Sequence, residues 1–349
     1  MAQDERNEET GLSEEPGQPE ESEQTDDSGQ VESTTDLDED IAMALENHVL
    51  NPAEDPEEAS DPRTMYPSGE FEPQTQDYPG WTEAMIPRPD HGEQSYVGHH
   101  RMMGFRTLIT GGDSGIGKAV AIAFAREGAD VAFTYLPEEE QDAELTVQLI
   151  EAAGSRALAL PGDLRDEEFC QEVIAQTIEE FDGLNVLVNN AGFQMTTSRG
   201  IEDLSSEQFD RTFKSNVYAL FWLTKAALPH LQPGSSIINT SSIQGYHPSP
   251  SLIDYAATKA AINSMTFSLA ESLGSKGIRV NAVAPGPIWT PLQPPTQPEE
   301  KIVKFGQDTP LGRAGQPAEL AATYVLLATE ESSYISGSVI GVTGGKHLA

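Results

Sequence analysis

Tyr255-Ala-Ala-Thr-Lys259 sets a phenol and an ammonium group four residues apart. On a helix, positions i and i+4 share a face, so both groups can reach one crevice. A free tyrosine has a pKa of about 10, too high for ready proton exchange at neutral pH, and a lysine cation beside it favours the phenolate. Such a pair can serve as acid and base toward an oxygen that gains or loses a proton. Taken alone, the spacing also suits an ordinary solvated helix face. Ser242 adds a third group: it follows the buried-strand pattern of residues 236–240, where a hydroxyl can hold a carbonyl oxygen beside the tyrosine.

A second stretch, Thr110-Gly-Gly-Asp-Ser-Gly-Ile-Gly117, sits between a short apolar run and a segment rich in helix formers that stops at Gly128. Strand, glycine turn and helix is the context of a dinucleotide site. Glycines let the backbone approach a pyrophosphate, and the helix N-terminus offers unpaired N–H groups and the positive end of its dipole. Glycines alone would fit an ordinary strand–helix turn.

Stepping outward, the elements that must hold these groups read as alternating strands and helices. Strands are expected at 106–110, 130–135, 156–160, 184–188, 235–240, 278–283 and 338–342, and helices at 115–127, 138–153, 166–181, 206–231, 254–274 and 317–328. That alternation predicts an α/β fold: a Rossmann-type, doubly wound, seven-stranded parallel sheet with helices on both faces. Its ligand crevice lies beyond the C-terminal strand ends, where the strand order reverses. Strand 130–135 ends at Thr134-Tyr135-Leu136 with no acid at the tip, and the carboxylates from Glu138 onward read as the next helix. An acid there would bond a free ribose 2′-hydroxyl, so its absence favours NADP over NAD. Asp163 is read either as a partner for an adenine amino group or as a helix N-cap. Asn189-Asn-Ala-Gly192 offers small residues for close approach and amides to tie neighbouring strands.

Residues 105–349 form the nucleotide-binding domain in this reading. Residues 1–62, dominated by Glu, Asp, Gln, Ser, Thr and Pro, read as a disordered acidic tail, with residues 40–48 a transient turn or a short amphipathic helix. Residues 63–104 bring aromatics among prolines and read as an extended arm, packed on the domain or on a neighbouring subunit. His91, His99 and His100 lack metal-site spacing and are given an ordinary surface role, so no metal is expected. The net charge is −37, of which residues 1–100 carry 28 acidic and 3 basic side chains. A nucleic-acid partner would be repelled. One cysteine, no signal peptide and no apolar run long enough to span a bilayer point to a cytoplasmic protein away from membranes.

Together, the glycine motif at 110–117, Asn189–Gly192, Asn216, Ser242, Tyr255-x-x-x-Lys259 and Pro285-Gly-Pro-Ile-Trp-Thr290 resemble the short-chain dehydrogenase/reductase family over residues 105–345. The acidic tail, Pro87–Glu93 and Phe305–Pro310 further resemble its general-stress-protein and glucose/ribitol-dehydrogenase subgroup. The resemblance implies an NAD(P)-dependent oxidoreductase acting on a carbonyl or secondary alcohol, with a polyol or sugar among the substrates. It implies Tyr255 as acid/base, Lys259 lowering its pKa and bonding the nicotinamide ribose, Ser242 orienting the carbonyl, and Asn216 holding a water that links Lys259 to solvent. The cofactor would meet Gly111, Asp113, Ser114, Gly115, Ile116 and Gly117 at the glycine turn, and Tyr135, Asp163 and Leu164 on the adenosine side. Asn190, Ala191 and Gly192 would border the ribose, and Pro285, Gly286, Ile288 and Thr290 the nicotinamide. Phe193–Met195, Gln244–His247, Trp289 and a proline-rich lid at 291–312 would wall the substrate. A homotetramer is implied, its interfaces on helices 206–231 and 254–274. The alternatives are a cofactor-binding stress protein with incidental turnover and a same-fold epimerase or dehydratase.

Overall fold

The computed structural model describes residues 60–348. The tail expected over 1–62, with the segment 40–48, lies outside them except for residues 60–62. Seven parallel strands form one sheet: β1 Arg106–Thr110, β2 Asp130–Tyr135, β3 Ala157–Pro161, β4 Leu184–Asn189, β5 Leu231–Thr240, β6 Arg279–Pro285 and β7 Val339–Val342, in the order β3-β2-β1-β4-β5-β6-β7. The strands are nearly continuous apolar runs because both sheet faces are covered. Helices α1 Gly115–Arg126, α2 Glu140–Ala152 and α9 Ala318–Ala328 bury Phe124, Ile150, Tyr324 and Leu327 on one face. Helices α3 Glu167–Phe181, α5 Ala219–Ala227 and α6 Ile253–Gly274 bury Val173, Phe181, Leu223 and Leu273 on the other. The chain winds away in opposite directions from β1 and β4, which opens a crevice at their C-terminal ends.

The helix expected over 206–231 is broken. It consists of α4 Ser206–Phe213, a π-helical turn Lys214–Tyr218 and α5, and it stops at Ala227, with Leu231 already opening β5. Pro229 lacks the N–H that a continuing helix requires. The wide turn directs Asn216 inward, where its amide exchanges hydrogen bonds with both backbone groups of Phe193, at 2.7 and 2.9 Å. The lid holds two short helices, α7 Gln293–Thr296 and α8 Glu299–Val303, absent from the expected elements.

Residues 63–104 run extended across the same chain. Phe71 stacks on Trp289 with centroids 4.1 Å apart, its N–H donates to Val303 O, and Trp289 Nε1 donates to Pro87 O at 2.7 Å. Met85, Ile302 and Ala314 complete this apolar cluster. Farther along, Tyr96 and Arg101 both donate to the buried Glu127 carboxylate at the end of α1. His91 departs from its expected surface role: it is fully buried, with Nδ1 3.1 Å from Glu93, and burial lowers its pKa. Among the described residues no group of acidic, His and Cys side chains could hold a metal.

Candidate active site

One cleft opens beyond the C-terminal ends of the central strands. Its floor begins at Gly111, held at φ +63°, where a Cβ would press on Ala191. Gly111, Ser114, Gly115 and Ile116 line the cleft. The Ser114 side chain caps no N–H of α1, and no acid stands in the first turn. The helix dipole and its leading N–H groups therefore meet the cleft as a ready anion site, which suits a pyrophosphate. Gly117, expected to contact cofactor, does not line the cleft. A Cβ there would sit 1.8 Å from Gly111 O and 2.7 Å from Asn190 Nδ2, so Gly117 instead lets α1 meet β1 and β4. Asn190 spends its amide on Thr110 O and Gly111 O, at 3.0 and 3.2 Å, joining the two strand ends.

Toward β2 and β3 the cleft is lined by Tyr135, Leu136, Asp163 and Leu164, while Ala191 and Gly192 follow β4, where a Cβ at Gly192 would lie 3.6 Å from Lys259 Nζ. Asp163 accepts from Arg165 Nε at 2.8 Å, and the N-cap of α3 is Asp166, which accepts from Glu168 N. The capping alternative for Asp163 thus falls to its neighbour. The acid missing from the β2 tip is present after all: the 3₁₀ turn Pro137–Glu139 folds back, and both Glu139 and Asp113 line the cleft. Asp113 is 2 % exposed and its Oδ2 has no hydrogen-bond partner among the described residues. Burial, with the Asp142 carboxylate adding to it, pushes Asp113 up to about 7, and burial together with Asp113 pushes Glu139 up to about 9.

Ser242, Tyr255 and Lys259 line the opposite end of the same cleft, with Pro285, Gly286, Ile288 and Thr290. Buried Asp254 fixes the start of α6 by accepting from Thr212 Oγ1 at 2.6 Å and Gln208 Nε2 at 3.1 Å on α4, which sets the face carrying Tyr255. Lys259 Nζ lies 5.3 Å from the Tyr255 ring centroid and donates to Thr240 O at 2.7 Å. Burial lowers Lys259 to about 7 and raises Tyr255 to about 12, while the Ser242 hydroxyl pulls the phenol the other way. Burial thus works on Tyr255 against the lowering that the sequence reading assigns to Lys259. Asn216 faces a small adjoining cavity with Thr110, Asn189 and Ser215, not the main cleft.

Several expected wall residues are elsewhere. Trp289 is completely buried against Phe71. Gln194 bonds Thr296 Oγ1 of the lid at 3.0 Å, Gln244 accepts from Ser249 N, and His247 meets His347 O. Phe193, Pro291, Leu292 and Gln293 do line the cleft. The sequence reading missed Glu139, Thr240, Ser215, and Tyr78 and Pro79 of the arm. Pro137 was a usable turn signal for Glu139; nothing local marked Tyr78. The lone Cys170 is buried and its thiol is raised to about 12 by burial, so it is no nucleophile.

A family model described as enoyl-(acyl carrier protein) reductase matches residues 111–347. General stress protein 39 of Bacillus subtilis is 52% identical over 284 residues, covering 81% of this chain and 98% of that one. The glucose and ribitol dehydrogenase of Daucus carota is 44% identical over 287 residues, covering 80% and 98%. Among solved structures, a short-chain dehydrogenase of Burkholderia cenocepacia in complex with NADP superposes with a TM-score of 0.66 at 34% identity, over 70% of this chain and 98% of that one. The doubly wound sheet, the glycine turn and these likenesses agree: the chain belongs to the short-chain dehydrogenase/reductase family of NAD(P)-dependent oxidoreductases.

Proposed function

We propose that this protein interconverts a small carbonyl compound and the corresponding secondary alcohol, with Tyr255 as acid/base. The observation that carries the reading is the meeting of Ser242, Tyr255 and Lys259 in one cleft with the open N-terminus of α1. When bound, a nicotinamide dinucleotide supplies the hydride donor or acceptor, and the protein supplies position and a proton. Gly111, Ser114, Gly115 and Ile116 would hold its phosphates, Asp163 and Leu164 its adenine, Asn190 and Gly192 its ribose side, and Pro285, Gly286, Ile288 and Thr290 its nicotinamide end. Ser242 orients the substrate oxygen. Tyr255, protonated at neutral pH, donates to that oxygen during reduction, and Lys259 with the small cavity beside Asn216 resupplies the proton. Polyol or sugar substrates are favoured by the likeness to the carrot glucose and ribitol dehydrogenase and by Gln293 in the cleft wall.

The preference for NADP read from the sequence rested on a missing acid. With Glu139 and Asp113 lining the β2 end, a free ribose 2′-hydroxyl would find carboxyl oxygens to bond, and we propose NAD as the better-suited partner. Phe209, Tyr218, Phe221 and Phe267 are exposed on α4, the π turn, α5 and α6. That apolar patch supports a homo-oligomer, a tetramer in our reading, closed through these helices. We also place the protein in the cytoplasm; no described helix is long and apolar enough to cross a membrane.

The test titrates wild type and Tyr255→Phe with NADH and NADPH by nicotinamide fluorescence, then offers aldehydes, ketones and sugars. Turnover that vanishes in the variant while nucleotide binding survives supports the reading. Binding without turnover on any carbonyl would favour a stress protein that only holds nucleotide. No binding of either nucleotide would overturn the assignment of the cleft.

A further inference from the structure

The N-terminal arm runs past the cleft mouth between two fastenings. On the lid side, Phe71 is stacked on Trp289 and bonded to Val303 O. On the other side, the Thr82 N–H donates to Asp142 of α2 at 3.2 Å. Between them the arm seats closely on the lid: a Cβ at Gly80 would lie 2.4 Å from Pro291 O. The two residues before Gly80, Tyr78 and Pro79, serve neither fastening and line the cleft itself. The Tyr78 ring meets Phe193 edge-on at 5.3 Å, and the Arg211 guanidinium lies over both rings, at 4.8 and 4.1 Å. Arg211 reaches the ring from α4, and Tyr78 shares the lining of the cleft with Glu139, Gly162 and Asp163 beyond β2 and β3.

We propose that the arm completes the nucleotide site: Tyr78, steadied by Phe193 and Arg211, forms the outer wall of the pocket for the adenosine half of the dinucleotide. This rests on the cofactor reading given above. The ring is a flat apolar surface half-open to the cleft, and Arg211 holds it in place through its π face. The glycine turn and the β3 tip would grip the inner side of the same group. The site is therefore built from segments on both sides of the fold, and the arm acts as a binding element as well as a packing one.

The test compares wild type, Tyr78→Phe and Tyr78→Ala in the full chain, with ADP-ribose, NMN and NADH as probes in calorimetry. Removing the ring is expected to weaken ADP-ribose and NADH about tenfold, the usual scale for losing one aromatic wall. NMN, which lacks the adenosine half, should bind all three proteins alike and so reports an intact fold. Tyr78→Phe should stay within about twofold of wild type. If Tyr78→Ala does not fold, Arg211→Gln, which frees the ring without removing it, should weaken ADP-ribose several-fold. Equal ADP-ribose affinity in wild type and in whichever of these variants folds would overturn the proposal while leaving the cofactor reading in place. Failure of wild type to bind NADH or ADP-ribose would instead overturn the cofactor reading, and the proposal with it.

Discussion

Replacing Lys259 by methionine is expected to stabilise the nucleotide-free protein at neutral pH while removing turnover. Lys259 is 2 % exposed, and burial lowers its pKa from 10.5 to about 7. Between those values the unfolded chain keeps the proton and the folded chain has released it. Wild-type stability therefore rises with pH across this window, and the penalty of burying the amine is largest at and below neutrality. At about 1.4 kcal/mol per pH unit, the penalty at pH 7 is roughly 4 kcal/mol and fades to below about 1 kcal/mol near pH 10. Against it stands the hydrogen bond to Thr240 O, 2.7 Å long, whose loss strands a buried acceptor. That loss costs about 1–3 kcal/mol and is independent of pH. The variant should thus be more stable by about 2 kcal/mol at pH 7, level with wild type near pH 9 and less stable at pH 10. Urea unfolding of both proteins at matched subunit concentration, at one-unit pH steps, reads the difference directly, since all other titrating groups cancel. A variant less stable at pH 7, or a difference that does not move with pH, refutes the reasoning.

Three further outcomes follow from the same contacts. Gly117→Ala drives a Cβ to 1.8 Å from Gly111 O, a backbone atom that cannot yield, so a loss of more than about 3 kcal/mol in urea unfolding is expected, together with lost nucleotide binding. Trp289→Ala removes a fully buried indole that holds the arm through Phe71 and Pro87, and should cost about 3–5 kcal/mol, read by the same unfolding assay. Glu139→Gln, combined with Asp113→Asn, removes the carboxyls from the β2 end of the cleft. NADPH affinity should then rise relative to NADH by about tenfold in fluorescence titration above pH 9, where the wild-type carboxyls are ionised, and an unchanged ratio there would count against those residues as selectors.

The reach of the sequence shows in which residues it could pair. Glycine turn, flanking strand and helix are adjacent, so their roles follow from local backbone rules. Tyr255 and Lys259 sit one helical turn apart, and hydrophobic period alone places every strand of the sheet within a residue or two except β5, which starts at Leu231 rather than 235. Where it misread, the cause was a contact between distant segments or a local irregularity without a compositional mark. The π turn at Lys214–Tyr218 has no helix-breaking residue, and it coincides with Asn216's bonds to the distant backbone of Phe193.

By its own pattern, then, the sequence determined an acidic leader, a doubly wound domain and a phenol–ammonium pair after a buried strand. Each of these depends on spacing along the chain, through helical and strand periodicity, charge and glycine's missing Cβ. Only the tertiary structure decided that Glu139 and Asp113 share the β2 end of the cleft, that Trp289 belongs to the arm and that Tyr78 borders the cleft. Lys259 and Tyr255 are driven toward neutrality by burial, and burial is a property of the packed fold, which no spacing between residues records.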